Sequence, residues 1–254
     1  MKTITITNQK GGVGKTTTAH VLATGLLKRG FKVLVIDTDP QTNLTFTAGI
    51  DPLKEESTLY NVFKGEVLSS DAVVTSDVGF DMIPGSLELA GADMEFTQAG
   101  REYMLKEALD PIQEHYDYCV IDTPPNIGIL TINSLTASNK VVVPMGADVY
   151  SLQGLSQLQK LIEQVKKYCN SSLVIEGLLL TKYSPRAIIN RQLKETLEKV
   201  SETLNTKVFK SYIREAVAIK EIQFSQSNIF VEYPDANVTK DYDCFIDELL
   251  EEGK

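Results

Sequence analysis

Tryptophan is missing from these 254 residues, histidine occurs twice and cysteine three times. Cys119, Cys169 and Cys244 stand far apart and make no C-x-x-C pair. That sets aside a disulfide framework, a zinc ribbon and a dithiol redox motif, and the three read as packing residues of a reducing compartment. His20 and His115 have no partner at metal or triad spacing and read as surface or packing residues. No apolar run reaches the roughly 18 residues of a membrane-spanning helix. An alternating strand starts at Thr3, so neither a leader peptide nor a preceding helix-turn-helix is expected. A formal net charge of −9 argues against a wholly basic surface, though not against a local one. No linker and no repeat divides the chain, so one domain over 1–254 is expected, with a C-terminal helix of about 239–252 docked on it.

What is present is ordinary in amount and ordered in pattern. Apolar residues make up 43% and charged residues 23%, enough for one substantial core. Short β-branched runs alternate with helical patterns, the rhythm of a parallel sheet. Strands are expected at Thr3–Thr7, Lys32–Asp37, Phe80–Ile83, Tyr118–Asp122, Lys140–Pro144, Ser172–Thr181 and Lys207–Phe209. Helices are expected at Thr16–Arg29, Glu102–His115, Leu152–Tyr168, Ile188–Leu204 and Thr239–Glu251, with a short one near Thr58–Phe63. Val33–Ile36 and Cys119–Ile121 are apolar at every position, as strands covered on both faces are. The expected fold class is α/β: a single domain with a mainly parallel sheet flanked by helices on both faces.

The most informative stretch is Asn8-Gln9-Lys10-Gly11-Gly12-Val13-Gly14-Lys15-Thr16-Thr17, between an alternating strand and a helical pattern. Strand, Gly-rich turn and helix in that order make a phosphate-binding loop. The glycines let successive N–H groups turn inward, and the helix N-terminus adds partial positive charge. Lys15 can reach the β- and γ-phosphates and the Thr16 hydroxyl is placed for Mg²⁺. Where the common pattern has glycine, residue 9 is Gln9, and a second lysine, Lys10, follows it.

Two further strands end in acids. Val33–Ile36 runs into Asp37-Thr38-Asp39-Pro40-Gln41, two carboxylates on one side of the chain at the edge that faces a ligand crevice. Val120-Ile121 runs into Asp122-Thr123-Pro124-Pro125, an apolar strand delivering a lone Asp for Mg²⁺.

The pattern K-G-G-x-G-K-[ST] at Lys10–Thr16 resembles the deviant Walker A loop of the ParA/MinD/nitrogenase-iron-protein ATPases. With Val35–Gln41, Ile83-Pro84, Asp122–Pro125 and Leu152–Leu155, the resemblance covers almost the whole chain and is strongest to short, Soj-like ParA partition ATPases. It implies ATP binding by Lys10, Gly11, Gly12, Val13, Gly14, Lys15, Thr16 and Thr17, with Mg²⁺ at Thr16, Asp37 and Asp122. Asp39 would orient or deprotonate the attacking water. Lys10 would reach the partner subunit's nucleotide in an ATP-sandwich homodimer. Hydrolysis in such proteins is slow and is stimulated by a ParB-like protein. In related folds the adenine pocket forms after the late strands, which points to Arg214 for a contact near base or ribose.

Between Lys182 and Lys220 nine cations face four acids, a local reversal of the overall charge. Such a face suits sequence-independent, salt-sensitive DNA binding, and dimerisation would double it. Arg186, Arg191, Lys194 and Lys220 are the candidates; the relatives often carry arginine at the place of Ala218, with Lys220 its substitute here. The C-terminal stretch has Phe245, Ile246, Leu249 and Leu250 on a background of acids, so it is expected to dock on its own domain rather than on anionic lipid. A cytoplasmic protein, nucleoid-associated when ATP-bound, follows. The alternative is an ATP-switched positioning protein for a cargo other than DNA.

Overall fold

The computed structural model describes residues 1–146 and 150–251, with the side chains of 150–153, 188, 189, 191, 193 and 203 outside the described set. The all-apolar runs become the middle of the sheet, where both faces are covered. In chain order the first half comprises β1 (Lys2–Ile6), α1 (Lys15–Lys28), β2 (Val33–Asp37), α2 (Asn43–Thr47), α3 (Leu59–Lys64), β3 (Val74–Thr75), β4 (Asp81–Ile83), α4 (Ala92–Glu95) and α5 (Met104–Leu109). The second half comprises β5 (Tyr118–Asp122), α6 (Ile129–Thr136), β6 (Lys140–Gly146), α7 (Tyr150–Tyr168), β7 (Val174–Thr181), α8 (Ile188–Thr203), β8 (Val208–Ile213), α9 (Val217–Ser225), α10 (Ile229–Glu232) and α11 (Asn237–Glu251).

Among the described residues the strands form one sheet in the order β3-β4-β2-β5-β1-β6-β7-β8, antiparallel only at β3–β4. From β1 the chain first moves to β2 on one side, while β6, β7 and β8 extend on the other. The loops at the C-terminal end of β1 therefore diverge, which opens a crevice there. Register places Ile6, Asp122 and Asp37 side by side on β1, β5 and β2. The two aspartates thus share one row of the sheet edge.

Strand alternation divides the core. Ile4, Ile6, Val33, Val35 and Val120 pack against α1 and α11, while Leu34, Ile36, Cys119 and Ile121 pack under α5 and α6. Beyond β1, Val141, Val143, Leu178 and Leu180 meet α7 and α8. Helix α1 is buried on nearly all sides, and at Gly25 an added Cβ would overlap the Ile246 side chain of α11. The acids of α11 are engaged: Asp243 and Asp247 bind Lys28 and Arg29, and its Phe245, Ile246 and Leu249 are buried.

Three expectations change. The helix over Glu102–His115 is broken: α5 is flanked by single 3₁₀ turns at Arg101–Tyr103 and Gln113–His115. Pro111 lacks the N–H an α-helix needs there and clashes with the turn before it. Helices α2, α4, α6, α9 and α10 and strand β3 are not among the expected elements, α6 because its burial leaves no apolar–polar period. Cys119 and Cys169 are buried and half-buried, but Cys244 is exposed on α11 and is not a packing residue.

Candidate functional site

The β1–α1 loop is shaped by two left-handed residues, Gly12 (φ 72°) and Gly14 (φ 85°), where a side chain would be strained. It is also pinned from β6 and β7, on one side of β1. Asn8 Nδ2 donates to the Pro144 carbonyl at 2.7 Å and Asn8 Oδ1 accepts from Lys10 N at 3.0 Å. Thr181 Oγ1, at the end of β7, donates to the Val13 carbonyl at 2.8 Å. Neither anchoring role was visible in the sequence: Asn8 opens the Gly-rich stretch and Thr181 is the last residue of β7.

Lys15 opens α1 and is buried, its Nζ 3.4 Å from the Lys10 carbonyl. Burial lowers its pKa, against the opposing pull of Asp122 and Asp39. The Thr16 hydroxyl donates to Asp122 Oδ2 at 2.6 Å, joining the first turn of α1 to the end of β5. Asp122 is fully buried, and its pKa is raised by desolvation and then by the neighbouring charge of Asp37; the Thr16 bond and Lys15 oppose this.

Asp37 and Asp39 part company. Asp37 Oδ2 accepts from Thr45 N at 2.9 Å and Thr45 Oγ1 at 2.8 Å, and Oδ1 accepts from Asp39 N at 3.1 Å. Desolvation pushes its pKa up to about 6 in spite of those bonds. Asp37 lies beside Asp122 in the sheet row and anchors the turn into α2 from beneath. Asp39 does line the cleft, with Oδ1 accepting from Gln41 N at 3.0 Å. Its carbonyl accepts from Thr42 N at 2.9 Å, in a turn closed by Thr42 at a left-handed φ of 54°, uncommon for a β-branched residue.

The threonine after each strand-end aspartate has its own task. Thr38 Oγ1 donates to the Asp122 carbonyl at 2.7 Å and Thr123 Oγ1 to the Ile6 carbonyl at 3.0 Å. These bonds continue the β2–β5–β1 pairing past its last residues and lock the three loops together.

The resulting cleft has a volume of about 720 Å³. Gly11, Gly12, Gly14, Lys15, Thr16 and Thr17 form one side, Asp39 the end of β2, and residues 213–216 with Ile219, Lys220 and Phe224 the far side. Thr17 Oγ1 also accepts from Gln223 Nε2 of α9 at 2.9 Å. Arg214 lies on the cleft as expected, but its guanidinium is committed: Nε and Nη2 donate to Asp241 at 2.6 and 2.8 Å. The Asp241 carboxylate thus holds that side chain in place on the cleft wall.

Of the basic candidates, Arg186 is exposed in the loop after β7 and Lys220 is exposed on α9, after β8. Lys194 is half-buried and 3.9 Å from Glu198, its neighbour one turn along α8. The Arg191 side chain, like those of Leu152 and Gln153, lies outside the described residues. Among the described residues no helix is long and apolar enough to cross a membrane.

A Mg²⁺ site fits this edge by its donor chemistry. Three buried carboxylates with one lysine leave negative charge in excess, and hydroxyl and carboxylate are hard oxygen donors. No group of three or more His, Cys, Asp or Glu among the described residues forms a metal cage.

A Gly-rich loop between β1 and a helix, on a mainly parallel sheet with acids ending the adjacent strands, defines the P-loop ATPase class. The AAA domain family matches residues 1–175. Sporulation initiation inhibitor protein Soj of Bacillus subtilis is 41% identical over 222 residues, 87% of this chain and 87% of that protein. Chromosome partitioning protein ParA of Caulobacter vibrioides is 39% identical over 225 residues, 87% of this chain and 83% of that one. The crystal structure of cobyrinic acid a,c-diamide synthase from Mycobacterium smegmatis, with bound ATP analogue and magnesium, superposes with a TM-score of 0.87. It is 33% identical, with coverage of 100% of this chain and 97% of that one. The chain belongs to the ParA/Soj family of partition ATPases.

Proposed function

We propose that this chain is a Mg-ATP-driven switch that dimerises around nucleotide, binds DNA without sequence preference in the ATP state, and partitions a chromosome, plasmid or mobile element. The observation that carries this reading is the 2.6 Å bond from Thr16 to Asp122, which brings the Gly-rich loop and the acid-tipped strands to one edge. In this reading the N–H groups of Gly11–Thr17 and the Lys15 ammonium bind the β- and γ-phosphates. Mg²⁺, held by Thr16 and Asp122, would neutralise charge on those phosphates. Asp39, on the cleft, orients the attacking water and takes its proton, while Asp37 would support the metal and holds the Asp39 turn by accepting from Asp39 N. Exposed Gly11 and Gly12 permit close approach of a second subunit, whose nucleotide Lys10 would reach. Loss of the γ-phosphate would then loosen the pair and release DNA, with a ParB-like partner setting the rate.

Arg186 and Lys220 follow adjacent strands on the same sheet edge as the nucleotide cleft, so a dimer closed over that edge would set two such pairs together. The chain would work in the cytoplasm, on the nucleoid while ATP is bound. Small-molecule amide synthesis, which the Mycobacterium smegmatis structure's name denotes, draws less support: the Soj and ParA relatives are closer in sequence.

The test is binding to random-sequence duplex DNA with ATP, ADP or no nucleotide over a salt titration, with sizing in parallel. ATP-dependent, salt-sensitive binding together with an ATP-dependent dimer is expected. A dimer without DNA affinity in any state would overturn the DNA step and favour a positioning protein for another cargo. Lys10→Ala dimerising and turning over like wild type would remove the lysine acting across the interface.

A further inference from the structure

The cleft wall opposite the Gly-rich loop is held by an acid that the proposed reaction leaves unused. Asp241 lies in the second turn of α11. Its Oδ2 accepts from Arg214 N at 3.1 Å and Arg214 Nε at 2.6 Å, and its Oδ1 accepts from Arg214 Nη2 at 2.8 Å. One carboxylate fixes both the main chain and the side chain of the residue that opens the β8–α9 loop. The Asp241 side chain is 11% exposed, so the pair is shielded on its acidic side. The next residue, Tyr242, lines the cleft and is fully buried, with its hydroxyl 3.5 Å from Thr18 Oγ1 of α1. A single turn of α11 therefore ties the far wall of the cleft to the helix that begins at the phosphate loop.

The two walls differ in chemistry. Gly11–Thr17 offers backbone N–H groups and an ammonium, which suit phosphates. Ile213, Ala216, Ile219 and Phe224 put apolar surface on the far side, beside Glu215, Lys220 and Gln223, and that surface suits a flat ring. With the Arg214 guanidinium neutralised by Asp241, this wall carries no free cation from Arg214 for a phosphate. What the Asp241 clamp holds still is the main chain that runs on through Glu215 to Ala216.

We infer that Asp241 is a positioning residue for the nucleotide base: by clamping Arg214 it fixes the 214–216 main chain as the rim against which the base is seated. The inference rests on the Mg-ATP reading above, and it separates base recognition from phosphate binding.

The test is equilibrium binding by calorimetry of MgATP, MgADP and inorganic tripolyphosphate, which has no base, to the full chain. Wild type, Asp241→Asn, Asp241→Ala, Arg214→Gln and the Asp241→Ala/Arg214→Gln double variant are compared. Each single variant is expected to weaken ATP and ADP by roughly tenfold, the scale of a lost charge-assisted bond. Tripolyphosphate should bind all of them as it binds wild type, and the double variant should be no weaker than the singles. Asp241→Asn keeps the side-chain volume, and Arg214→Gln removes the two side-chain bonds from the more exposed end, so a poorly folded alanine variant does not decide the outcome. Unchanged ATP affinity in the variants overturns the inference, and so does an equal loss for ATP and tripolyphosphate, which would make the clamp a general scaffold. Wild type that binds tripolyphosphate but not ATP would overturn the Mg-ATP reading itself, and the inference with it.

Discussion

At the end of β2 two carboxylates lie two residues apart, and their neighbours decide what each can do. Asp37 accepts three hydrogen bonds from Thr45 and Asp39, whereas Asp39 faces the cleft. Asp39→Ala should therefore retain MgATP binding while single-turnover hydrolysis falls by roughly 10²–10⁴, the usual scale for a general base. Hydrolysis at the wild-type rate would remove Asp39 from the chemistry. His20 is a second case of a side chain defined by its surroundings. It is buried in α1 against Phe80, neither ring nitrogen has a partner among the described residues, and desolvation lowers its pKa to about 4 from 6.5. The unfolded chain then binds the extra proton between pH 6.5 and 4, so stability falls as pH drops through that window. From pH 7.5 to 5 the loss from this group is about 2 kcal/mol. His20→Leu should flatten the urea-midpoint profile over that range relative to wild type. Parallel profiles would show that the ring is solvated or paired.

Elements are held by side chains that sequence periodicity does not reveal. Strand β8 is an edge strand, and its pairing with β7 shifts register between Leu178 and Leu180. The irregularity leaves two consecutive N–H groups, at Lys210 and Ser211, facing away from β7. Glu248 of α11 accepts both, at 2.8 and 2.9 Å, and the Ser211 hydroxyl as well, at 2.8 Å. An acid on a helix thereby covers a sheet edge that would otherwise stand open. Glu248→Ala should cost about 1–3 kcal/mol and lower the melting temperature by several degrees, with Glu248→Gln losing less. An unchanged melting curve would mean that water serves those groups equally well. The same contrast explains what was readable beforehand. Val33–Asp37 and Tyr118–Asp122 were legible because burial on both faces demands unbroken apolar runs, and Lys10–Thr16 because a polyphosphate dictates glycine and lysine spacing. Asn8, Thr181 and Asp241 were not legible, since each acts across more than 130 residues or from a distant helix, a relation that only the fold creates. Strand β8 was read too short for a related reason: Lys210 and Ser211 interrupt its apolar pattern where Glu248, not a neighbouring strand, completes it.

For the whole molecule the governing feature is charge segregation. A chain of net charge −9 keeps a cationic excess between Lys182 and Lys220, and the acids of α11 are partly consumed by Lys28, Arg29 and Arg214. At physiological salt charges are screened beyond about 8 Å, so DNA would sense the face it meets rather than the distant acids. Arg186 and Lys220 are exposed beyond adjacent strands and are the pair to remove. A dimer of the Arg186→Ala/Lys220→Ala variant lacks four cations. At about 0.9 per phosphate contact, the slope of log K against log salt should become shallower by roughly 3 to 4 if all four touch DNA. Because Lys220 also lines the cleft, MgATP affinity and ATP-dependent dimerisation are measured on the same preparation. An unchanged slope with an intact dimer would place the DNA surface elsewhere on the chain. A reduced slope with unchanged dimerisation would tie DNA affinity to the sheet edge that the nucleotide closes, so that one event, loss of the γ-phosphate, could release both the partner subunit and the DNA.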